Sequence, residues 1–280
     1  MKRLIVFSRH PSHNMLREAG LLFEKRTLIR FGSETIPKRK FDVEINSPNA
    51  VKDSANKLLM KQDFTRAGVK TTDWYIWLEE GLVRPVGIEN GWMLTTDGCE
   101  LNRLNYPIIA KHIYGSRGTG NYKLDDEITL KNWIYKPNRD LSKFIFEEFF
   151  KKGREYRLHV TKDGCFYTCR KLLKNDAVER WHRHSSNCIW LLETHPKFDK
   201  PVNWELIEAD CVKALEAIGA DVLAFDVKVQ FSKNKNGKVR ENPKWVIIES
   251  CSAPSFGDIT LQKYIEEIPK IYKSKTDGKL

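Results

Sequence analysis

The chain has 280 residues, of which 41% are hydrophobic and 30% charged, and its net charge is +11. This balance excludes an intrinsically disordered chain, and no apolar run has the length of a membrane span. The length suffices for two or three subdomains, and the basic excess favours polyanionic partners such as nucleotides, phosphorylated substrates or nucleic acid.

The first third of the chain predicts an α/β unit, in which short strands alternate with helical segments. A helix begins after Ser47, an N-cap followed by a first-turn proline, and ends at Gly68. Residues 80–105 contain many turn formers and predict irregular structure. The predicted strands are residues 3–8, 27–30, 41–45 and 71–78.

The rest of the chain predicts strands up to residue 172 and a mixed pattern beyond it. Residues 172–200 are rich in basic and histidine side chains and predict a mobile loop or substrate region. A helix follows from Asn203 to Gly219, and a closing helix contains residues 261–268. The predicted strands are residues 108–111, 144–148, 156–160, 166–171, 222–230 and 245–250.

The six cysteines are scattered without paired spacing, which is typical of reduced thiols in a cytoplasm. Cys165 and Cys169 share one face of a strand, but no second pair accompanies them, so a zinc site is disfavoured. The apolar part of residues 1–10 is too short for a signal peptide and predicts a first strand. We therefore expect a cytoplasmic protein without a membrane partner.

Residues 106–120 combine a lone lysine at the end of an apolar run with a glycine-rich loop. Lys111 ends the run, and Gly115, Gly118 and Gly120 follow within nine residues. A buried ammonium needs an anion, and glycine-rich backbone presents N–H groups closely to phosphates. The segment indicates a nucleotide phosphate site; the alternative is a hairpin turn with a surface lysine.

Two other nucleotide-binding motifs are excluded. Gly115 and Gly120 have the spacing of a P-loop, but Asn121 and Tyr122 stand where that motif requires Lys-Ser/Thr. A Gly-x-Gly-x-x-Gly sequence after a strand is absent from the chain, so a dinucleotide-binding fold has no support.

Two carboxylates mark the last pair of predicted strands. Asp226 lies on the strand face opposite Phe225 and Val227, and Glu249 ends the next apolar run. If the two strands pair through the hairpin between them, the carboxylates come close together. They then repel each other unless a proton or cation joins them, and magnesium on nucleotide phosphates is the usual cation. The alternative is that each carboxylate caps a strand at the surface.

The order of these motifs resembles a known superfamily. Lys111 and its glycine loop come first, and Asp226 comes between residues 146–157 (Phe-Glu-Glu-Phe-Phe-Lys-Lys-Gly-Arg-Glu-Tyr-Arg) and 247–254 (Ile-Ile-Glu-Ser-Cys-Ser-Ala-Pro). This order resembles the ATP-grasp superfamily of carboxylate–amine ligases, the class of D-alanine–D-alanine ligase and glutathione synthetase. It is most similar to small phage-encoded ATP-grasp proteins and covers residues 45–265.

The resemblance implies an ATP-grasp fold, an α/β (α+β) architecture that clamps a nucleotide between subdomains. It implies an N-terminal α/β domain at residues 1–70, a central subdomain at 71–145 and a C-terminal subdomain at 146–280. The implied cofactors are ATP and Mg²⁺, and the implied location is the cytoplasm, in a host cell if the protein is virus-encoded.

The resemblance also implies roles for individual residues. Lys111 contacts the α- and β-phosphates, and Glu155 holds the ribose hydroxyls. Asp226 and Glu249 are magnesium ligands. The loop that closes over the phosphates is Ser116, Arg117, Gly118, Thr119 and Gly120. The hinge whose backbone reads adenine is Glu147, Glu148, Phe149 and Phe150. The catalytic cations near the transferred phosphate and acyl substrate are Arg157, Lys171 and Lys111.

One position departs from the family pattern. The family's Glu-x-Asn motif is here Glu249-Ser250-Cys251, and cysteine offers a soft sulfur that magnesium binds poorly. Either Ser250, Ser252 or water takes the place of Cys251 as a metal ligand, or the second metal site is weakened.

Residues 179–190 (Glu-Arg-Trp-His-Arg-His-Ser-Ser-Asn-Cys-Ile-Trp) have the most unusual composition in the chain. His182 and His184 share a face in an extended segment, but a third ligand is missing from the spacing, which favours solvated or anion-facing side chains over a metal site. In similar ATP-grasp proteins this region borders the acceptor site; packing against the nucleotide is the alternative. The predicted substrate contacts are Arg180, Arg183, His184 and Asn187.

These observations favour an ADP-forming ligase that activates a carboxylate as an acyl phosphate and joins it to an amine or another nucleophile. Its substrates are expected to be small molecules or peptides. The basic charge suggests an alternative, an enzyme whose acceptor is nucleic acid. Lys162 lies one position too late for the Lys-x-Asp-Gly nucleophile of RNA ligases, which argues against lysine adenylylation. Cys251 suggests a third reading, an ATP-binding protein with degenerate catalysis.

Overall fold

A computed structural model describes residues 1–277, apart from residues 9, 80, 90–91, 96–97, 116–117, 152, 185 and 235. The helices in this part of the chain are α1 (Asn14–Glu18), α2 (Pro48–Ala55), α3 (Lys57–Ala67), α4 (Glu127–Ile134), α5 (Trp204–Ile218) and α6 (Asp258–Asp277). The strands are β1 (Lys2–Arg3), β2 (Ile5–Ser8), β3 (Leu22–Phe23), β4 (Thr27–Phe31), β5 (Val43–Ile45), β6 (Trp74–Leu78), β7 (Gly81–Val83), β8 (Pro85–Glu89), β9 (Trp92–Thr95), β10 (Ile108–His112), β11 (Asn121–Leu124), β12 (Phe144–Glu148), β13 (Gly153–Thr161), β14 (Gly164–Leu173), β15 (Cys188–Leu192), β16 (Val222–Gln230) and β17 (Trp245–Cys251).

A parallel sheet in the order β2-β4-β5 forms the N-terminal unit. All five residues of β4 are buried, as expected for a central parallel strand that is covered on both faces. Ile29 and Phe31 of β4 pack in one core with Tyr264 and Ile268 of α6. The last helix of the chain therefore covers the first sheet, and the two ends of the sequence form one unit.

The helix predicted between Ser47 and Gly68 is divided in two. Ser47 caps α2, and Gly68 ends α3 in the left-handed conformation at φ +63°. Asn56 leaves the helical region at φ −94° and ψ 111°, and its side chain accepts from the N–H groups of Leu58 and Leu59. The asparagine side chain competes with the helix backbone and starts a new helix. This break places Lys57, whose ammonium donates to the carbonyl of Gly115, beside the glycine loop.

The central sheet has the order β11-β10-β12-β6-β7, and its paired strands are antiparallel. Leu130 and Trp133 of α4 cover one face. The prediction of irregular structure at residues 80–105 is wrong, because β7, β8 and β9 lie there. Pro85 begins β8, a strand of a two-stranded sheet, and a proline at a strand start removes no ladder hydrogen bond inside the strand. The sequence patterns also missed α4.

The C-terminal sheet has the order β15-β14-β13-β16-β17. Its two faces differ because successive side chains on a strand point to opposite sides. On one face Leu158, Phe225 and Val227 pack against α5 in the largest core. On the other face lie Arg157 and Asp226, among the charged residues described below. The predicted α5 is confirmed, and its apolar residues Ile207, Cys211, Ala214, Leu215 and Ile218 are all buried.

All six cysteines are described and carry free thiols. Within the described residues, every helix is too short or too polar to cross a membrane. The domain boundaries at residues 70 and 145 stay a prediction; β12, at residues 144–148, pairs within the central sheet.

Candidate active site

A cleft of about 810 Å³ lies between the two five-stranded sheets and extends to loops of the N-terminal unit. Its volume is in the range of small-molecule and cofactor sites. The predicted residues that line it are Lys111, Gly118, Glu147, Glu148, Phe149, Phe150, Glu155, Arg157, Lys171, Arg183, His184, Asp226, Glu249 and Cys251. Thr119, Gly120, Arg180 and Asn187 are not part of this lining, and Ser116 and Arg117 lie outside the described residues.

Lys111 is held between two carboxylates. Its Nζ lies 3.2 Å from Oε2 of Glu147 and 3.6 Å from Oε1 of Glu249. Burial lowers the pKa of the Lys111 ammonium, but Glu147 and Glu249 outweigh burial and raise it above its usual value. A charged ammonium is therefore fixed at the wall of the cleft.

Glu147 is the buried centre of this charge cluster. It accepts from the Thr72 hydroxyl at 2.8 Å, and its other oxygen lies 3.3 Å from Nζ of Lys61. Burial raises the pKa of the Glu147 carboxyl, but Lys111 and Lys61 lower it to about 2. Glu147 is ionised at neutral pH and orients the Lys111 ammonium through their ion pair.

The predicted hinge, Glu147–Phe150, leads from the central sheet into the C-terminal sheet. The N–H groups of Glu148 and Phe149 donate to the carbonyls of Asp73 (2.9 Å) and Pro107 (3.0 Å). Oε1 of Glu148 accepts from the Tyr75 hydroxyl at 2.9 Å. These bonds fix the backbone of the segment at the edge of the cleft.

Glu155, on β13, faces two cations. Its Oε1 lies 3.0 Å from Nζ of Lys171, and its Oε2 lies 3.5 Å from Nη1 of Arg183. Lys171 also donates to Asp226 at 2.5 Å. Burial lowers the pKa of Lys171, but Asp226 and Glu155 outweigh burial and raise it. Lys171 therefore links the predicted ribose carboxylate to the predicted metal carboxylate.

Asp226 and Glu249 are directly opposite each other on β16 and β17, which is the strand pairing that the sequence suggested. Arg157 binds Asp226 through two parallel hydrogen bonds of 2.8 and 2.9 Å. Burial raises the pKa of Asp226, but Arg157 and Lys171 outweigh burial and hold it well below its usual range. Burial raises the pKa of Glu249 too, but Lys57 and Lys111 outweigh burial and lower it. Both carboxylates are ionised at neutral pH.

The donor atoms at this pair fit magnesium in part. Asp226 and Glu249 offer hard oxygen ligands on facing strand positions, and Mg²⁺ prefers such ligands together with phosphate oxygens. Cys251, two residues after Glu249 on β17, does not fit, because burial raises the pKa of its thiol and sulfur is a poor magnesium ligand. Among the described residues, a group of three or more His, Cys, Asp or Glu side chains able to hold a metal is absent.

The glycine loop touches the segment that was predicted to bind substrate. Gly118 has φ +81°, and a Cβ there would lie 2.9 Å from Nε2 of His182. Asn187 organises this segment: it accepts from the N–H of His184 at 2.9 Å and donates to the His182 carbonyl at 3.1 Å. Arg180 is exposed and donates to the carbonyl of Asn175. The segment therefore lies beside Glu155 and the loop, and that its residues contact the substrate stays a prediction.

Several cleft residues were missed by the sequence patterns. The sequence contains a pattern that could have identified Lys228, because the alternation of side chains along β16 places Lys228 on the same face as Asp226. Lys61, which pairs with Glu147 but is not part of the cleft lining, had no such pattern, since it lies in a helix with other charged residues. The ring of Trp190 lies 5.1 Å from the Arg157 guanidinium carbon, and only strand pairing brings them together. The N-terminal loops contribute His10, Gly32 and Glu34.

Comparison with known proteins identifies the fold. No protein-family model matches the sequence, and no curated protein sequence matches it. Solved structures with the ATP-grasp fold are similar to this structure, so the chain has that fold, as the sequence predicted.

Its structure is similar to D-alanine–D-alanine ligase from Bacillus anthracis complexed with ATP, with a TM-score of 0.58 and 11% identity over 97% of this chain and 98% of that one. It is also similar to N5-carboxyaminoimidazole ribonucleotide synthetase from Thermotoga maritima, with a TM-score of 0.53 and 12% identity. A third similar structure is the biotin carboxylase–β,γ-ATP complex from Campylobacter jejuni, with a TM-score of 0.54 and 16% identity. These two matches cover 95% and 88% of this chain, but only 62% and 54% of the larger proteins.

Proposed function

We propose that this protein is an ATP-dependent, ADP-forming ligase that activates a carboxylate as an acyl phosphate and joins it to an amine or another nucleophile. One observation carries the proposal. A single cleft of the ATP-grasp fold brings together Lys111, the hinge Glu147–Phe150, Glu155 and the pair Asp226–Glu249. Two similar structures are complexes with ATP or β,γ-ATP, which supports a nucleotide as the ligand.

The order of residues along β16 and β17 supports one orientation of the nucleotide. Lys228 lies opposite Val246 near the hinge, and Asp226 lies opposite Glu249 further along. The base is placed at the hinge, the ribose at Glu155 and the phosphates at Lys111 and the carboxylate pair. Beyond Cys251 the cleft opens towards Ser255, His10 and Glu34, and this end is proposed to take the acyl and amine substrates.

The chemistry is a phosphoryl transfer followed by an acyl transfer. An oxygen of the substrate carboxylate attacks the γ-phosphorus of ATP, and the bond from that phosphorus to the ADP oxygen breaks. The amine nitrogen then attacks the acyl carbon, phosphate leaves with the former carboxylate oxygen, and the amine loses a proton. Mg²⁺ bound by Asp226 and Glu249 would supply positive charge at the phosphate oxygens.

The protein's own cations neutralise the charge that moves during these steps. Lys111 is pre-oriented by Glu147, and Arg157 is pre-oriented by its two bonds to Asp226. Pre-oriented charges stabilise a phosphoryl transition state without the cost of reorganisation. The glycine loop is proposed to close over the phosphates and protect the acyl phosphate from hydrolysis.

The experiment that tests the proposal is turnover with ATP, Mg²⁺, a panel of ¹⁸O-labelled carboxylic acids including amino acids, and hydroxylamine as a general trapping amine. We expect ADP, a hydroxamate and phosphate that carries one ¹⁸O atom. Lys111→Met is expected to lose this activity, and Lys273→Met, at an exposed lysine of α6, is expected to keep it. AMP and pyrophosphate as products would refute the acyl-phosphate mechanism.

A second candidate, an ATP-binding protein with degenerate catalysis, is favoured by one observation. Asp226 already pairs with Arg157 and Lys171, and Cys251 stands where the family has a hard asparagine oxygen. Cys251→Asn separates the two candidates: it raises ATP turnover if the metal site is only weakened. ATP binding without ADP release in both proteins would support the second candidate.

A nucleic-acid acceptor and a cytoplasmic location stay predictions. The basic net charge motivates the first. Retention on DNA or RNA columns that falls steeply with salt would support it, and elution at low salt would remove it.

A further inference from the structure

Lys228 is a largely buried lysine of the cleft wall. It lies on β16, two residues beyond Asp226, and therefore on the same face of the strand. Its side chain lines the cleft, and only 8% of the residue is exposed. In the described part of the chain, no hydrogen bond or ion pair reaches its ammonium; the nearest specific contact is the ring of Phe149, 4.5 Å away.

The nearest carboxylate does not satisfy this ammonium. Glu155 is the residue directly opposite Lys228 on β13. Its two oxygens are directed instead to Lys171 at 3.0 Å and Arg183 at 3.5 Å. An unpaired buried ammonium is costly. Two other lysines of the cleft differ from Lys228 in this respect, because Lys111 and Lys171 each pair with two carboxylates.

The position of Lys228 places it on the hinge side of the cleft. Consecutive residues on one face of a strand are about 7 Å apart, so Lys228 is displaced by roughly that distance from Asp226. The displacement is towards the hinge, because its contact is Phe149. The ammonium is thus separated from the carboxylate pair at which the phosphates are placed. It lies between Glu155, where the ribose is placed, and Phe149 of the hinge, where the base is placed.

We propose that Lys228 is a specificity-determining residue that donates a hydrogen bond to a ring nitrogen of the purine base. This inference rests on the proposed function, because it uses the same ATP orientation. An ammonium has three donors and no acceptor, so its partner must be an acceptor atom. The ring nitrogens of the base are the acceptors on this side of the cleft, and Phe149 covers the same region with an aromatic face.

The experiment compares ATP with its 1-deaza, 3-deaza and 7-deaza analogues, each of which lacks one ring-nitrogen acceptor. Dissociation constants are measured by calorimetry for the wild type, Lys228→Met and Lys228→Arg. Methionine keeps the apolar length and removes the donor, whereas arginine keeps a donor. Lys273→Met is the matched control, and thermal melts check that each variant is folded.

We expect one analogue to bind the wild type about tenfold more weakly than ATP does, as for one hydrogen bond to a charged group. In Lys228→Met this difference disappears and ATP itself binds about tenfold more weakly, while Lys228→Arg retains part of the discrimination. Equal ATP affinities for the wild type and Lys228→Met would overturn the inference but leave the proposed function intact. The inference would also be overturned, with the proposed function intact, if the ratio of each analogue's affinity to that of ATP were the same in Lys228→Met as in the wild type. A wild type that binds no ATP would refute the proposed function itself, and this inference with it.

Discussion

His13 joins the N-terminal unit to the loop that follows β17, and it does so as a neutral imidazole. Its Nε2 donates to the carbonyl of Pro254 at 2.8 Å, and its Nδ1 lies 2.5 Å from the Ser8 hydroxyl. The ring is 0% exposed and stacks on Phe31. Because Nε2 donates, Nδ1 of the neutral ring is an acceptor for the Ser8 hydroxyl, and burial opposes a second proton on the ring.

The lowered pKa of His13 gives the size of the loss in unfolding free energy that acid should cause. Burial, opposed in part by the bond to Pro254, lowers the pKa from 6.5 to about 4. Below pH 6.5 the unfolded imidazole binds a proton that the folded one refuses, so the free energy of unfolding falls as pH drops through 6.5 towards 4. At ~1.4 kcal/mol per pKa unit the full loss is about 3 kcal/mol, of which roughly 2 kcal/mol is reached at pH 5.

The assay is urea unfolding at pH 7 and pH 5 for the wild type, His13→Gln and His195→Gln. Glutamine keeps an amide donor for the Pro254 carbonyl and removes the titration. The difference in unfolding free energy between the two pH values is expected to be about 2 kcal/mol smaller in His13→Gln than in the wild type. His195 is exposed, so His195→Gln should follow the wild type. An unchanged pH dependence in His13→Gln would refute the argument that the buried ring stays neutral.

Three further predictions concern the cleft. Glu147→Gln leaves the buried ammoniums of Lys61 and Lys111 without their shared carboxylate, and urea unfolding should show a loss of about 3 kcal/mol; a loss below 1 kcal/mol would contradict the buried charge cluster. Gly118→Ala forces a side chain into a left-handed backbone position against His182, at a cost of about 1–2 kcal/mol. ATP turnover should therefore fall several-fold, with little change in melting temperature. Undiminished turnover would exclude closure of the glycine loop in this conformation. Cys251→Asn should increase Mg²⁺-dependent ADP release, and a decrease would show that the thiol side chain itself is needed.

The sequence predicted the elements whose signals are local. The N-cap of Ser47, the left-handed Gly68 and the apolar face of α5 all depend on residues a few positions apart, and each is found as expected. The strand alternation around Asp226 also required only its neighbours. The resemblance that these motifs carry in order was sufficient for the ATP-grasp fold. Where propensity misled, at residues 80–105, pairing between strands decided the structure against local turn signals.

Only the tertiary structure decided how the charges of the site are paired. The sequence placed Lys111, Glu147 and Glu249 in separate motifs, and the packing of two sheets brings both carboxylates within 4 Å of the Lys111 ammonium. Lys61 joins this cluster from a helix, and no periodicity marks it. The physical reason is that ion pairing depends on distances between segments far apart in the chain, whereas local patterns record only which face a side chain occupies. The alternation on β16 could therefore place Lys228 in the cleft, but only the tertiary structure shows that the oxygens of Glu155 are directed to Lys171 and Arg183.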